Sequence, residues 1–145
     1  MIHRQILKDI EEWSKRQNRK PLVLRGARQV GKTTLVDEFG KQFDIYIKLN
    51  LEQSADAAIF GMTDDVNNVL QYLSLQNNVQ MDSSKRVLLF IDEIQNEPKA
   101  VGLLRYFYEQ LPWLHVIAAG SRLQTLIKQR ISFPVGRVDY LSLRP

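Results

Sequence analysis

The sequence predicts an α/β fold, a parallel sheet flanked by helices, and three observations carry that reading. Short apolar segments alternate with stretches of helical periodicity along the chain. Two of these segments, Val87 to Ile91 and Val116 to Ala119, are unbroken rather than alternating, the pattern of strands covered on both faces. A glycine-punctuated stretch, Gly26 to Gly31, joins a third apolar segment to a helical one. With 145 residues, 44% of them hydrophobic and 25% charged, the chain matches the size and composition of one packed domain.

Each element follows from its spacing. Ile2, Ile6, Leu7, Ile10 and Trp13 lie on one stripe and predict an amphipathic helix over residues 2–17, with Trp13 in the core. Leu22-Val23-Leu24 reads as a strand, and Leu35, Val36 and Phe39 mark the helix after the glycine loop. Ile45, Ile47, Leu49 and Leu51 alternate with polar residues, so this strand has one polar face and belongs at a sheet edge. Ser54 and Thr63 are the expected N-caps of two short helices, the second with Val66, Leu70 and Leu73 on one face. After a polar loop over 76–86 and the strand from Val87, Pro98 opens a helix whose expected buried stripe is Val101, Leu104, Tyr108 and Leu111. The strand Val116 to Ala119 follows, then helical spacing at Leu123, Leu126 and Ile127, and a last strand over 138–143.

Composition excludes several chemistries. There is no cysteine, hence no disulfide, thiolate metal site or thiol nucleophile, and two histidines leave little for a histidine metal centre or a serine-histidine-aspartate triad. No apolar run approaches the roughly 18 residues of a membrane span, and the charged start lacks a signal-peptide core. A cytoplasmic protein is the expectation. Residues 1–32 carry nine basic and three acidic side chains, whereas 33–100 carry five and eleven. That asymmetry suits an anionic ligand near one end of the chain, although a solvated mixed-charge surface accounts for most of it.

Gly26-Ala27-Arg28-Gln29-Val30-Gly31-Lys32-Thr33 has two glycines five apart, then lysine and a hydroxyl residue, which is the phosphate-loop pattern. At background frequencies the four fixed positions occur about once in 28,000 starts. The glycines let backbone N–H groups turn toward a phosphate, and the following helix N-terminus, through Thr34, adds positive potential. Lys32 would reach the β and γ phosphates, and Thr33 would present its hydroxyl to Mg²⁺. Leu88-Leu89-Phe90-Ile91-Asp92-Glu93 is an apolar strand ending in two carboxylates. Asp92 then belongs to the Mg²⁺ shell, and Glu93 stands where it could polarise a water toward the γ phosphate. A GTPase is disfavoured, because no Asn-Lys-x-Asp occurs and Asp92-Glu93-Ile94-Gln95 lacks the glycine of the switch motif.

Three stretches together, Leu24 to Thr34, Phe90 to Gln95 and Ala119-Gly120-Ser121, with Gly136-Arg137-Val138 after them, resemble the AAA-type domain of a large family of prokaryotic ATP-binding proteins. That resemblance implies a P-loop NTPase of sheet order 5-1-4-3-2, with ATP and Mg²⁺ as ligands and hydrolysis coupled to conformational change. It implies a sensing or water-orienting role for Ser121, against which stands a simple helix N-cap. It gives Asn50 a role in restraining Glu93, against a solvated strand end. Arg137 resembles the family's Gly-Arg element and would act on a neighbouring subunit in a homo-oligomer, against an ordinary surface ion pair; Arg122 and Arg130 are the other arginines of that region. Family members commonly carry two or more serines where this chain has Ser121-Arg122. They also continue into a lid and a C-terminal domain of unassigned role, so residues 1–145 are expected to be a single nucleotide-binding domain cut short before them.

Three other readings stand beside this one. A nucleotide switch would bind ATP without hydrolysing it. A nucleic-acid binder would use the basic ends, although no aromatic-basic interleaving is seen. A small-molecule kinase would need an acceptor pocket that the sequence does not identify.

Overall fold

The computed structural model describes residues 2–26, 31–121 and 136–142. In chain order the elements are α1 (Ile2–Ser14), β1 (Leu22–Arg25), α2 (Lys32–Gly40), β2 (Ile45–Asn50), α3 (Ser54–Met62), α4 (Val66–Gln76), β3 (Val87–Asp92), a 3₁₀ turn (Ile94–Asn96), α5 (Pro98–Gln110), β4 (His115–Gly120) and β5 (Asp139–Ser142). The five strands are all parallel in the order β2-β3-β4-β1-β5, the order expected. The helical segment expected around Leu123 to Ile127 lies outside the described residues.

Side-chain alternation splits the core into two layers. From β3, Val87, Leu89 and Ile91 enter the layer under α3, α4 and α5, while Leu88 and Phe90 enter the layer under α1 and α2. That two-sided burial is why the strand reads as an unbroken apolar run. On the edge strand β2, Ile47 and Leu49 are buried in one layer and Lys48 is exposed on the other face. The polar face is not merely solvated: the Tyr46 hydroxyl donates to Asp37 Oδ1 at 2.6 Å and Lys48 pairs with Asp37 at 3.1 Å, tying β2 to α2. Gly40 at the end of α2 makes this possible, since a Cβ there would lie 2.7 Å from the Tyr46 ring.

Three local expectations are corrected. Ser54 is the first helical residue of α3, with Gln53 as its cap residue. Asp65, not Thr63, caps α4 by accepting from the Asn67 N–H at 2.9 Å, and Thr63 Oγ1 instead accepts from the Asp65 N–H. On α5 Val101 and Leu104 are buried as expected, as is Leu111 at its C-cap, but Tyr108 is half-buried, and Ala100, Leu103 and Phe107 complete the buried face. Phe107 takes the place expected of Tyr108 because it lies three and four residues beyond Leu104 and Leu103, on the same helix face.

Trp13 is core as expected, with its indole N–H donating to the Lys20 carbonyl at 2.7 Å. Its ring meets His115 edge-on, and Phe43 also packs edge-on against the imidazole. Burial foremost, then the Arg19 charge, with Arg86 adding to it, pushes His115 down to about 4 against the pull of the Ser14 carbonyl. Between about pH 6.5 and 4 the unfolded chain binds a proton at His115 that the folded chain refuses, so stability falls as pH falls through that window. We expect the loss to be on the order of 2 kcal/mol. Thermal melts across this range should show it, and His115→Phe should flatten the slope; an unchanged slope would place the titration elsewhere.

Candidate functional site

β1 delivers the chain to Gly26, and α2 begins at Lys32 immediately after Gly31. Gly31 has φ +75°, a conformation that strains any side-chain-bearing residue, and its carbonyl accepts from the Leu35 N–H at 3.0 Å. Ala27, Arg28, Gln29 and Val30 lie outside the described residues. Gly31, Lys32, Thr33 and Thr34 form one wall of a cleft of about 350 Å³; Asn50, Glu52, Asp92 and Glu93 form the other. Residues far apart in sequence meet here because β1, β3 and β4 run parallel and end at the same level, the place where open α/β sheets hold ligands.

The Thr33 hydroxyl donates to Asp92 Oδ2 at 2.9 Å, and the other Asp92 oxygen accepts the Glu93 N–H at 2.9 Å. A hydroxyl and a carboxylate in contact at the start of a helix are hard oxygen donors of the kind Mg²⁺ takes alongside waters and phosphate oxygens, so Thr33 and Asp92 fit that ion. Lys32 is 4% exposed, a cation buried beside these acids.

Glu93 sits just past β3 in the left-handed region, φ +53° and ψ +46°. Its carbonyl accepts from the Asn96 N–H at 3.1 Å and from the Asn96 side-chain amide at 3.2 Å, and these bonds hold the bend. Two side-chain donors meet on one carboxylate oxygen, Oε2: Gln95 Nε2 at 2.6 Å and Ser121 Oγ at 2.9 Å; the Ser121 backbone N–H also favours the ionised carboxylate. Burial alone would raise the Glu93 carboxyl, but the Gln95 and Ser121 hydrogen bonds and the Lys32 charge outweigh it and hold the group below the usual glutamate range.

The structure therefore brings together Gly31, Lys32, Thr33, Thr34, Asp92, Glu93 and Ser121. It does not bring Arg137 to them. Arg137 Nε donates to Glu109 Oε2 at 3.0 Å, just ahead of β5. β5 starts level with the start of β1, so this ion pair is at the end of the sheet opposite the cleft. Arg122 and Arg130 lie outside the described residues.

Asn50 lines the cleft, but its Oδ1 accepts from the Glu52 N–H at 3.0 Å in its own turn, and the donors bonded to Glu93 are Gln95 and Ser121. Asn50→Ala is accordingly expected to leave any turnover within twofold while lowering stability by about 1 kcal/mol through the lost turn bond. A several-fold rise in turnover would restore the restraint. Gln95 and Glu52 are the site residues that sequence reasoning missed. Gln95 figures in the sequence reading only as part of the Phe90 to Gln95 stretch and without a role, because it sits in a 3₁₀ turn past the strand, where strand alternation no longer says which way a side chain points.

A parallel sheet of this order, with a glycine-lysine-threonine helix start meeting an acid at the end of β3, defines a P-loop nucleotide-binding fold. Within that class the chain belongs to the AAA domain family, which it matches over residues 18–145. No curated protein matches the sequence. Solved structures share the fold at low identity. A Walker-type ATPase of Pyrococcus abyssi superposes with a TM-score of 0.59 at 16% identity, over 96% of this chain and 52% of that one. The Aeropyrum pernix ORC1 protein, solved in complex with DNA, gives 0.60 at 17% identity, over 99% and 44%. A chain of the Drosophila ORC bound to DNA gives 0.62 at 10% identity, over 99% and 92%. The chain spans about half the length of the Pyrococcus protein and less than half of the Aeropyrum one. Among the described residues no helix is long and apolar enough to cross a membrane.

Proposed function

We propose that this domain binds ATP and hydrolyses it with Mg²⁺, coupling turnover to a change of conformation. The observation that carries the reading is the 2.9 Å contact between Thr33 and Asp92, which closes the phosphate-loop helix onto the acid of β3 with Glu93 next to it. The Gly31 turn and the α2 N-terminus offer backbone N–H groups to the phosphates, and Lys32 supplies the cation. When bound, Mg²⁺ supplies positive charge to the β and γ phosphates; Thr33 and Asp92 would hold it. Glu93 takes a proton from a water whose oxygen bonds to the γ phosphorus, as the bond to the β–γ bridging oxygen breaks and ADP leaves with that electron pair. Phosphate release by the chain with Mg-ATP, and its loss on chelation of Mg²⁺, tests this; binding without release would leave a nucleotide switch.

The trans role of Arg137 belongs to the same reading and requires the arginine to leave Glu109. An arginine on the transferring phosphate contributes about 10³ to 10⁵ in rate. Specific activity should therefore rise with protein concentration, and Arg137→Ala chains mixed with Glu93→Gln chains should regain turnover at a shared interface. Concentration-independent activity without rescue would leave Arg137 as the partner of Glu109.

A further inference from the structure

The Gln95 side chain has no place in the phosphate chemistry, yet it is 9% exposed and aimed at Glu93. It comes from the 3₁₀ turn that Ile94, fully buried, anchors in the layer under α3, α4 and α5. Only half of its amide is used: Nε2 donates to Glu93 Oε2 at 2.6 Å, while Oε1 is buried and has no hydrogen-bond partner among the described residues. A buried amide oxygen without a donor costs free energy that an apolar side chain of the same shape would not. Gln95 is thus poorly suited to stabilising the fold, and what its donor accomplishes is to fix one oxygen of one carboxylate.

Ser121 reaches that same oxygen from the end of β4. Two donors arriving from separate elements on Oε2 define both the position and the rotation of the carboxylate, whereas one would leave it free to swing. Neither engages Oε1.

Resting on the ATPase reading above, we propose that Gln95 is a positioning residue for Glu93: with Ser121 it holds Oε2, so that Oε1 takes the proton of the attacking water. The geometry of proton transfer is demanding, and a small displacement of the base costs rate rather than substrate affinity.

The test uses the nucleotide-free and the Mg-ATP-loaded chain. In the free wild type, one Gln95 side-chain amide proton should resonate downfield and exchange slowly by NMR, and Glu93→Ala should return it to the position of a solvated glutamine. Gln95→Leu should lower kcat about tenfold, leave KM for Mg-ATP and its calorimetric affinity within twofold, and leave Tm equal or higher. An amide resonance indifferent to Glu93→Ala overturns the proposal, as does a Gln95→Leu chain with wild-type kcat. A fall in kcat matched by a fall in Tm also overturns it, since that is the mark of a structural residue. Wild-type chain with no turnover at all would instead overturn the ATPase reading, while the amide resonance would still report the Gln95–Glu93 bond.

Discussion

Lys32→Ala is expected to raise the Kd for Mg-ATP at least about 100-fold, to the edge of what calorimetry detects. Lys32 is 4% exposed, so its charge would meet bound phosphates with little water between them. A charge-assisted bond in such a setting contributes about 3 kcal/mol, which converts to about two orders of magnitude in affinity. The backbone N–H groups of the loop and the α2 N-terminus remain in the mutant, and for that reason weak residual binding at millimolar nucleotide is part of the expectation. Wild-type affinity in Lys32→Ala would remove the phosphate-loop assignment altogether.

Glu93→Gln should keep nucleotide affinity within a few-fold and lose about 10² to 10⁴ in kcat, the range a positioned general base contributes. The substitution keeps the size of the side chain and leaves a carbonyl oxygen to accept from Gln95 and Ser121, so the surrounding bonds need not rearrange. It removes the charge that Lys32 helps to hold ionised. Single-turnover phosphate release with saturating Mg-ATP separates the chemical step from binding. Turnover equal to wild type would move the base to another residue, and a parallel loss of affinity would show that Glu93 contributes to binding rather than to chemistry.

The two predictions stand on residues that were legible as sequence, for reasons that can be named. Lys32 and Thr33 occupy fixed offsets from Gly26 and Gly31, because a backbone turning around a phosphate and then entering a helix admits few spacings. Asp92 and Glu93 were legible because they end an unbroken apolar run, and a strand buried on both faces can carry acids only where it leaves the sheet. Gln95 was not legible, because the turn that carries it has no period and its partner is chosen by where the carboxylate points. Asn50 was read correctly as the last residue of an edge strand, but its amide satisfies the Glu52 N–H two residues on. Local hydrogen bonds of this kind depend on turn geometry, which residue type alone leaves open.

By itself the sequence determined the α/β class, the edge position of the Ile45 strand, the burial of Trp13 and the order in which the phosphate loop and the acidic strand end occur. Each of these follows from periodicity or from spacing within one element, where covalent geometry fixes which residues share a face. Only the tertiary structure decided that Ser121, 28 residues from Glu93, donates to its carboxylate, that Thr33 meets Asp92 across 59 residues, and that Arg137 pairs with Glu109 away from the cleft. Those contacts depend on the parallel register of β1, β3 and β4 and on how far each helix carries the chain back. Such distances are set by packing between elements, and no pattern within an element encodes them.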